Sequence, residues 1–219
     1  MIDYQPLKIL ITSGATAEPI DSVRFIGNKS SGKVGYQLAI QGAIAGHQIT
    51  LLQGQNAPPP TSHPRLNTTT FTTSRDLKAK CMEYLPSNDV VIMAAAVSDF
   101  TLKGGCIKQK IQRSESMSLD FVATEDIVAE LVSKKRADQT VIGFALADSS
   151  QLQDIAKTKM KRKGLDAIVA NPIQTMDSDI ISATIHLSNG TIEPLPPKIT
   201  KPNFAQLLID FIPTIRKVT

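Results

Sequence analysis

Apolar and polar positions along this chain alternate between two periods. Compact apolar runs at 9–11, 48–52, 89–96, 140–145 and 166–170 read as buried strands, with a weaker one at 66–71. Between them, 34–45, 74–85, 126–135 and 150–163 carry helical patterns. Gly46 suits a helix end, Ser74 a helix cap, and Pro58-Pro59-Pro60 an exposed loop. Regular alternation of this kind predicts one α/β domain over 1–219, a Rossmann-like, mostly parallel sheet flanked by helices. From 100 to 121 the pattern loosens around Gly104-Gly105 and scattered Lys and Arg, which suggests a flap, a hairpin or a dimer arm. Near the end, 182–187 and 191–194 flank Ser188-Asn189-Gly190, a turn that predicts an antiparallel edge hairpin over 182–194. A last helix starts at Lys201, with Pro202 in its first turn and Pro213 expected to bend or end it.

The segment between the first strand and the first helix is unusually rich in chemistry. It opens with Thr12-Ser13-Gly14, runs through Glu18-Pro19-Ile20-Asp21-Ser22-Val23-Arg24, and ends in Asn28-Lys29-Ser30-Ser31-Gly32-Lys33. Strand-to-helix crossings of this type are where α/β proteins bind ligands, and amides at the Ser30–Gly32 helix start can hold phosphate. Neither standard nucleotide fingerprint is present: Gly14-Ala15-Thr16 is not GxGxxG, and Ser31-Gly32-Lys33 lacks the upstream glycine of a P-loop. Each residue also has a plainer use. Gly14 can be a turn glycine, Asp21 and Arg24 can pair within the loop, Asn28 can cap a helix, and Asp99 can cap the loop after the small-residue strand end. Lys108, Lys110 and Arg113, like Lys159 and Lys163, are a solvated face unless they converge on one polyanion.

Composition narrows the class without choosing a ligand. The chain has 219 residues, 42% of them hydrophobic, enough for a sizeable core. Its 24 Lys and Arg against 20 Asp and Glu give +4, which suits phosphorylated small molecules as well as nucleic acid. Two cysteines, Cys81 and Cys106, argue against a disulfide framework or a structural zinc site and for a reducing cytoplasm. Residues 1–6 do not read as a targeting signal and no apolar run approaches a membrane span, so a cytoplasmic protein away from membranes is expected. An NADP-linked reductase would need a ribose-reading acid after the second strand, where Leu52-Gln53-Gly54-Gln55 supplies none. A nucleic-acid module would rest on the 157–163 lysine stripe.

Taken together, the motifs resemble the phosphopantothenoylcysteine synthetases. The EPID-x-VR…N-x-SSGK composite matches 18–33, Ala94-Ala95-Ala96-Val97-Ser98-Asp99-Phe100 resembles the AAV-x-D-(Y/F) segment, and Lys110-Ile111-Gln112-Arg113 the KIKK motif. Gly143-Phe144-Ala145 resembles the GFA strand end, and Lys159 to Asn171 the K-x3-K helix with its AN dipeptide. The resemblance implies ligation of 4'-phosphopantothenate to L-cysteine through an acyl-cytidylate, using CTP and Mg2+ and no flavin. It further implies that Asn28 orients the acyl-cytidylate with Arg24 nearby, and that Ser31 and Gly32 join them around the substrate. Lys110 then binds the α-phosphate region, Asp99 reads cytosine or its sugar beside Ala95, Phe144 packs on the nucleotide, and Lys159 and Lys163 reach its phosphates. Gly14 and the segment Glu125-Asp126-Ile127-Val128 complete the nucleotide site; no metal ligand is assigned. Gln112 and Arg113 replace two family lysines, Ala17 stands where an Arg often precedes EPID, and 176–181 departs enough to receive no ligand. A homodimer with 100–121 near the partner is expected, as is a flavin-dependent decarboxylase on a separate polypeptide.

Overall fold

The computed structural model describes residues 5–59, 61–176 and 178–218. Pro60, parts of the 1–6 and 176–181 readings, and the last residue lie outside them. In chain order the elements are β1 (Lys8–Ser13), β2 (Ala17–Pro19), β3 (Phe25–Gly27), α1 (Lys33–Ile44), β4 (Gln48–Gln53), β5 (Leu66–Thr70), α2 (Ser74–Tyr84), β6 (Val90–Met93), β7 (Phe100–Leu102), β8 (Phe121–Ala123), α3 (Ile127–Lys134), β9 (Thr140–Ala147), α4 (Leu152–Lys163), β10 (Ala167–Pro172), β11 (Ile180–Ile181), β12 (Thr184–Leu187), β13 (Ile192–Pro194), β14 (Ile199–Thr200) and α5 (Lys201–Val218).

Eight strands form one sheet in the order β13-β12-β10-β9-β6-β1-β4-β5. All neighbours from β5 to β10 are parallel; β12 and β13 add antiparallel. The chain therefore winds from β1 out through β4 and β5, then returns to start the other half at β6. β1 and β6 lie side by side at the reversal, the position where open α/β sheets leave a crevice.

The central strands read as unbroken apolar runs because both faces are covered. Ile9, Ile11, Ile92 and Ile142 point to one side, where Leu38 and Ala39 of α1 meet Phe204, Leu208 and Ile212 of α5. Leu10, Val91, Val141 and Ile168 point to the other, against Leu77 and Cys81 of α2, Leu131 of α3 and Ala156 of α4. Burial pushes the Cys81 thiol up to about 12, whereas Cys106 is exposed. Since the thiolate is the reactive form, native protein at pH 8 should consume one equivalent of Ellman's reagent rapidly, and the second only after denaturation; two fast equivalents would contradict this packing.

Three expectations need correction. Thr73, not Ser74, caps α2: its hydroxyl accepts from Asp76 N at 3.1 Å, while Ser74 N donates to the buried Glu18 carboxylate at 2.6 Å. The strand expected over 89–96 ends at Met93, because Ala95 and Ala96 turn to bond the chain after β1. Pro213 does not end α5, which runs to Val218 with Ile209, Ile212 and Ile215 buried on either side of it. Of the three readings of the loose 100–121 segment, the hairpin is the one observed: β7 pairs with β8 and carries the irregular 103–120 stretch. The edge hairpin forms as expected. Its three-residue loop closes with Gly190 at φ 92°, Leu187 O accepting from Gly190 N at 2.9 Å and Leu187 N donating to Thr191 O at 2.8 Å.

Candidate functional site

Beyond their last ladder bonds, the chain segments after β1 and β6 stay zipped together. Ala96 N donates to Gly14 O at 2.8 Å, Thr16 N to Ala96 O at 3.1 Å, and Ala95 N to Thr12 Oγ1 at 3.0 Å. Gly14 sits at φ 83°, and a Cβ there would lie 2.8 Å from Gln55 O, so only glycine suits this turn. At Gly35 a Cβ would lie 2.7 Å from that of Ser13, and its absence lets α1 start directly against β1. Ser13 Oγ donates to Gly32 O at 2.7 Å and fixes that helix start. No side chain caps the N-terminus of α1, and no acid stands in its first turn.

These elements border a cleft of about 700 Å³ across the strand ends. Small residues, Ala94 to Ala96 and Gly143, line it between two cationic walls. Five lysines, Lys29, Lys33, Lys159, Lys163 and Lys201, face a single lining carboxylate, Asp99, among the described residues. Lys159 and Lys163 come from α4, on the α2–α4 side of the sheet; Lys33 and Lys201 begin α1 and α5, on the opposite side. The Lys159 ammonium donates to Phe144 O at 2.7 Å. Burial, and then the charge of Lys163, hold its pKa below the ordinary lysine range. Lys163 pairs with Asp126 at 2.9 Å, and that same carboxylate caps α3 through Ala129 N at 3.1 Å. Burial opposes ionisation of Asp126, but these partners outweigh it and lower its pKa.

The structure gathers Asn28, Ser31, Gly32, Ala95, Asp99, Val128, Phe144, Lys159 and Lys163 into this one cleft. Asn28 Nδ2 donates to Val97 O at 3.0 Å, which holds the side chain beside the β6 tip and replaces the capping role open to it in sequence. The Phe144 ring packs edge-on against Phe204, centroids 6.4 Å apart. Other expected residues do not line the cleft. Gly14 shapes the turn beneath it. Arg24 Nη1 is occupied by Asp21 at 2.5 Å and Ile111 O at 3.2 Å. Lys110 stands exposed on the 103–120 stretch. Glu125 pairs with Lys78, Asp126 is turned to its capping and ion-pair partners, and Ile127 is buried in the core.

Asp21 explains why Arg24 and the 103–120 stretch belong together. Its carboxylate accepts from Val23 N and Arg24 N at 2.8 Å, Ile111 N at 3.0 Å and the Arg24 guanidinium. Burial would raise its pKa, yet these donors hold it far below the carboxylate range. A further bond, Ile107 N to Ile20 O at 2.9 Å, stitches the same two segments. Lys33, Asn171, Thr175 and Lys201 were not singled out as ligand residues from sequence but line the cleft. Lys33 stood in the SSGK motif as a visible clue; Lys201 joins only because α5 packs along α1, a contact with no local signature.

The likeness to known proteins covers the same elements. A family model described as the DNA/pantothenate metabolism flavoprotein C-terminal domain matches residues 4–215. The chain is 38% identical over 167 residues to a cysteine/cysteine sulfinic acid decarboxylase from an unknown prokaryotic organism, covering 76% of this chain and 46% of that protein. With the coenzyme A biosynthesis bifunctional protein CoaBC of Escherichia coli K12 it shares 32% identity over 219 residues, 97% of this chain and 53% of that one. It thus spans about half the length of these curated relatives. The solved C-terminal domain of CoaBC superposes with a TM-score of 0.81 at 29% identity, covering 97% of each chain. No helix among the described residues is long and apolar enough to cross a membrane. With its glycine-shaped crossing, its cleft-bordering motifs and nearly its full length inside the family match, the chain belongs to the DNA/pantothenate metabolism flavoprotein C-terminal domain family.

Proposed function

We propose that this chain joins 4'-phosphopantothenate to L-cysteine through an acyl-cytidylate, in coenzyme A biosynthesis in the cytoplasm. The observation that carries the reading is the cleft itself: among the described residues, five lysines against one carboxylate at the sheet's crossing, floored by residues small enough for a nucleotide to lie on backbone. A carboxylate accepts an amine poorly until one of its oxygens becomes part of a good leaving group. In the first step a pantothenate carboxylate oxygen bonds the α-phosphorus of CTP, and the α–β bridge breaks with its electron pair leaving on pyrophosphate. In the second, the cysteine amine bonds the acyl carbon, the acyl–oxygen bond breaks, CMP departs with that oxygen, and the new amide nitrogen loses a proton. No electrons are transferred, so this reaction draws on no flavin.

Each side chain then has a task. Lys159 and Lys163 set positive charge beside the phosphates without needing to reorganise, the arrangement that stabilises developing negative charge most. Phe144 and Asp99 hold the base and sugar; Ala95 and Val128 border them. Asn28, fixed by Val97, orients the mixed anhydride, with Ser31 and Gly32 offering helix-start amides. Arg24 acts by tying 20–24 to Ile111, and Lys110, next to that anchor, reaches the α-phosphate region from the 103–120 stretch. Gly14 and the Glu125–Asp126–Ile127 start of α3 shape the nucleotide's surroundings. Mg2+ takes oxygen ligands and would enter with the nucleotide, held through substrate phosphates and water; among the described residues no group of three or more His, Cys, Asp or Glu gathers to hold it. When bound it neutralises polyphosphate charge. The ligase works as a homodimer through the 100–121 region, and a flavin-dependent decarboxylase consumes its product.

The test mixes purified protein with 4'-phosphopantothenate, cysteine, Mg2+ and either CTP or ATP, and follows pyrophosphate and product by mass spectrometry. Phosphopantothenoylcysteine formed with CTP is the expected result. Absence of product with every nucleotide would overturn the proposal.

A further inference from the structure

The cationic wall formed by Lys33 and Lys201 has no task in the scheme above. Lys201 is only 5% exposed, although its side chain borders a polar cleft. Lys33 Nζ lies 2.6 Å from Asp179 Oδ1, and Lys201 N donates to Asp179 O at 3.0 Å, so one exposed acid sits across the starts of two neighbouring helices. The Asp179 carboxyl is held below its usual range, by the Lys33 hydrogen bond and charge first and by the charge of Lys201 as well. The Asp179 carboxylate is thus paired with the Lys33 ammonium and also feels the charge of Lys201, so an internal anion already occupies this side of the cleft in the ligand-free chain.

We propose that Lys33 and Lys201 form a second phosphate subsite, on the α1–α5 side of the sheet and separate from Lys159 and Lys163, with Asp179 as the internal anion that an incoming phosphate displaces. Asn171 Nδ2 donates to Thr175 Oγ1 at 3.0 Å, and both border the same cleft. The inference rests on the proposed ligation, which brings two phosphorylated molecules into one cleft with two cationic walls. The phosphate is either the β,γ end of the nucleotide or the 4'-phosphate of the acid substrate. Both present the same chemistry, a multiply charged phosphoryl oxygen set that two lysines neutralise.

Calorimetric titration of wild type, Lys33→Gln and Asp179→Asn with CTP, inorganic pyrophosphate, 4'-phosphopantothenate and pantothenate decides it. Lys33→Gln should weaken one phosphorylated ligand by about tenfold, the loss of one charge-assisted bond, and Asp179→Asn should tighten the same ligand. Loss confined to CTP and pyrophosphate assigns the subsite to the nucleotide. Loss confined to 4'-phosphopantothenate, with its advantage over pantothenate reduced, assigns it to the acid. Lys201→Gln, accepted only if its melting temperature matches wild type, should repeat the Lys33→Gln pattern. Unchanged binding in both Lys33→Gln and Asp179→Asn, while wild type binds CTP, overturns the subsite and leaves the ligase reading standing. A wild type that binds neither CTP nor 4'-phosphopantothenate overturns both.

Discussion

Replacing Lys159 with methionine should cut the kcat/KM for ligation by about 10²-fold or more, the scale of removing one preorganised donor at a site of developing charge, and leave the fold at least as stable. Methionine keeps the length of the buried stem and removes an ammonium whose burial, beside Lys163, disfavours its charge. The pH behaviour separates this role from simple packing. Nucleotide affinity in wild type should fall as pH rises through the lowered pKa of Lys159, since the cation is then lost, and the variant should lack that alkaline limb. Stability should move the other way. Between the folded pKa of Lys159 and the free-lysine value of 10.5 the unfolded chain binds more protons than the folded one, so this residue's contribution to wild-type stability rises with pH there. Paired melting curves at neutral and alkaline pH should show that rise in wild type and a smaller one in Lys159→Met. Equal activity in the two proteins would remove Lys159 from the mechanism.

Asp21→Ala is expected to give the other large effect, without touching the cleft wall. Deleting the carboxylate strands the Val23, Arg24 and Ile111 amides and loosens the Arg24 guanidinium, so the 20–24 loop and the 103–120 stretch lose their shared anchor and are left with the Ile107 N–Ile20 O and Arg24–Ile111 O bonds. Ligation should fall by about 10²-fold, the cost of misplacing reacting groups by an ångström or so, and the Ile111 amide should exchange its hydrogen far faster. Asp21→Asn should recover part of both, because its carbonyl oxygen can still accept. The same site sets an acid limit. With its folded pKa depressed, Asp21 contributes stability that is present above the ordinary carboxylate value and lost as pH falls through the folded one. A variant with unchanged exchange at Ile111 and unchanged turnover would show that the clasp positions nothing.

How much of this was legible in the chain differs from element to element. Strands β1, β4, β6, β9 and β10 and helices α1 to α4 follow from apolar runs and helical periodicity, because burial on both faces of a parallel sheet leaves a strong local imprint. The β6 end was overextended: Ala94 to Ala96 look like strand residues, but the Ala94 amide turns back to Ile92 O, and those of Ala95 and Ala96 are claimed by Thr12 and Gly14 across the crossing. Pro213 misled because its usual effect is local, whereas α5 is kept in place by Ile209, Ile212 and Ile215 packed at a distance. At the site, motif position located Asn28, Asp99, Phe144, Lys159 and Lys163, all of which meet at the cleft. It placed Arg24 near the reacting groups, and the pairing with Asp21, the plainer use visible as an i, i+3 spacing, is what the structure shows for that guanidinium. Glu18 reads as part of a binding motif, yet its carboxylate receives the Ser74 amide at the start of α2. Lys201 lies 168 residues from Lys33 in sequence, and only the packing of α5 on α1 brings both to one wall.

The account's central claim is that the cleft makes the acid reactive by joining its carboxylate to a nucleoside monophosphate. The most direct measurement uses 4'-phosphopantothenate carrying 18O in its carboxylate, turned over with cysteine, CTP and Mg2+, with the label followed by mass spectrometry. One labelled oxygen should appear in CMP and none in pyrophosphate. Label recovered in inorganic phosphate, with CDP as the nucleotide product, would show an acyl phosphate instead and contradict the claim.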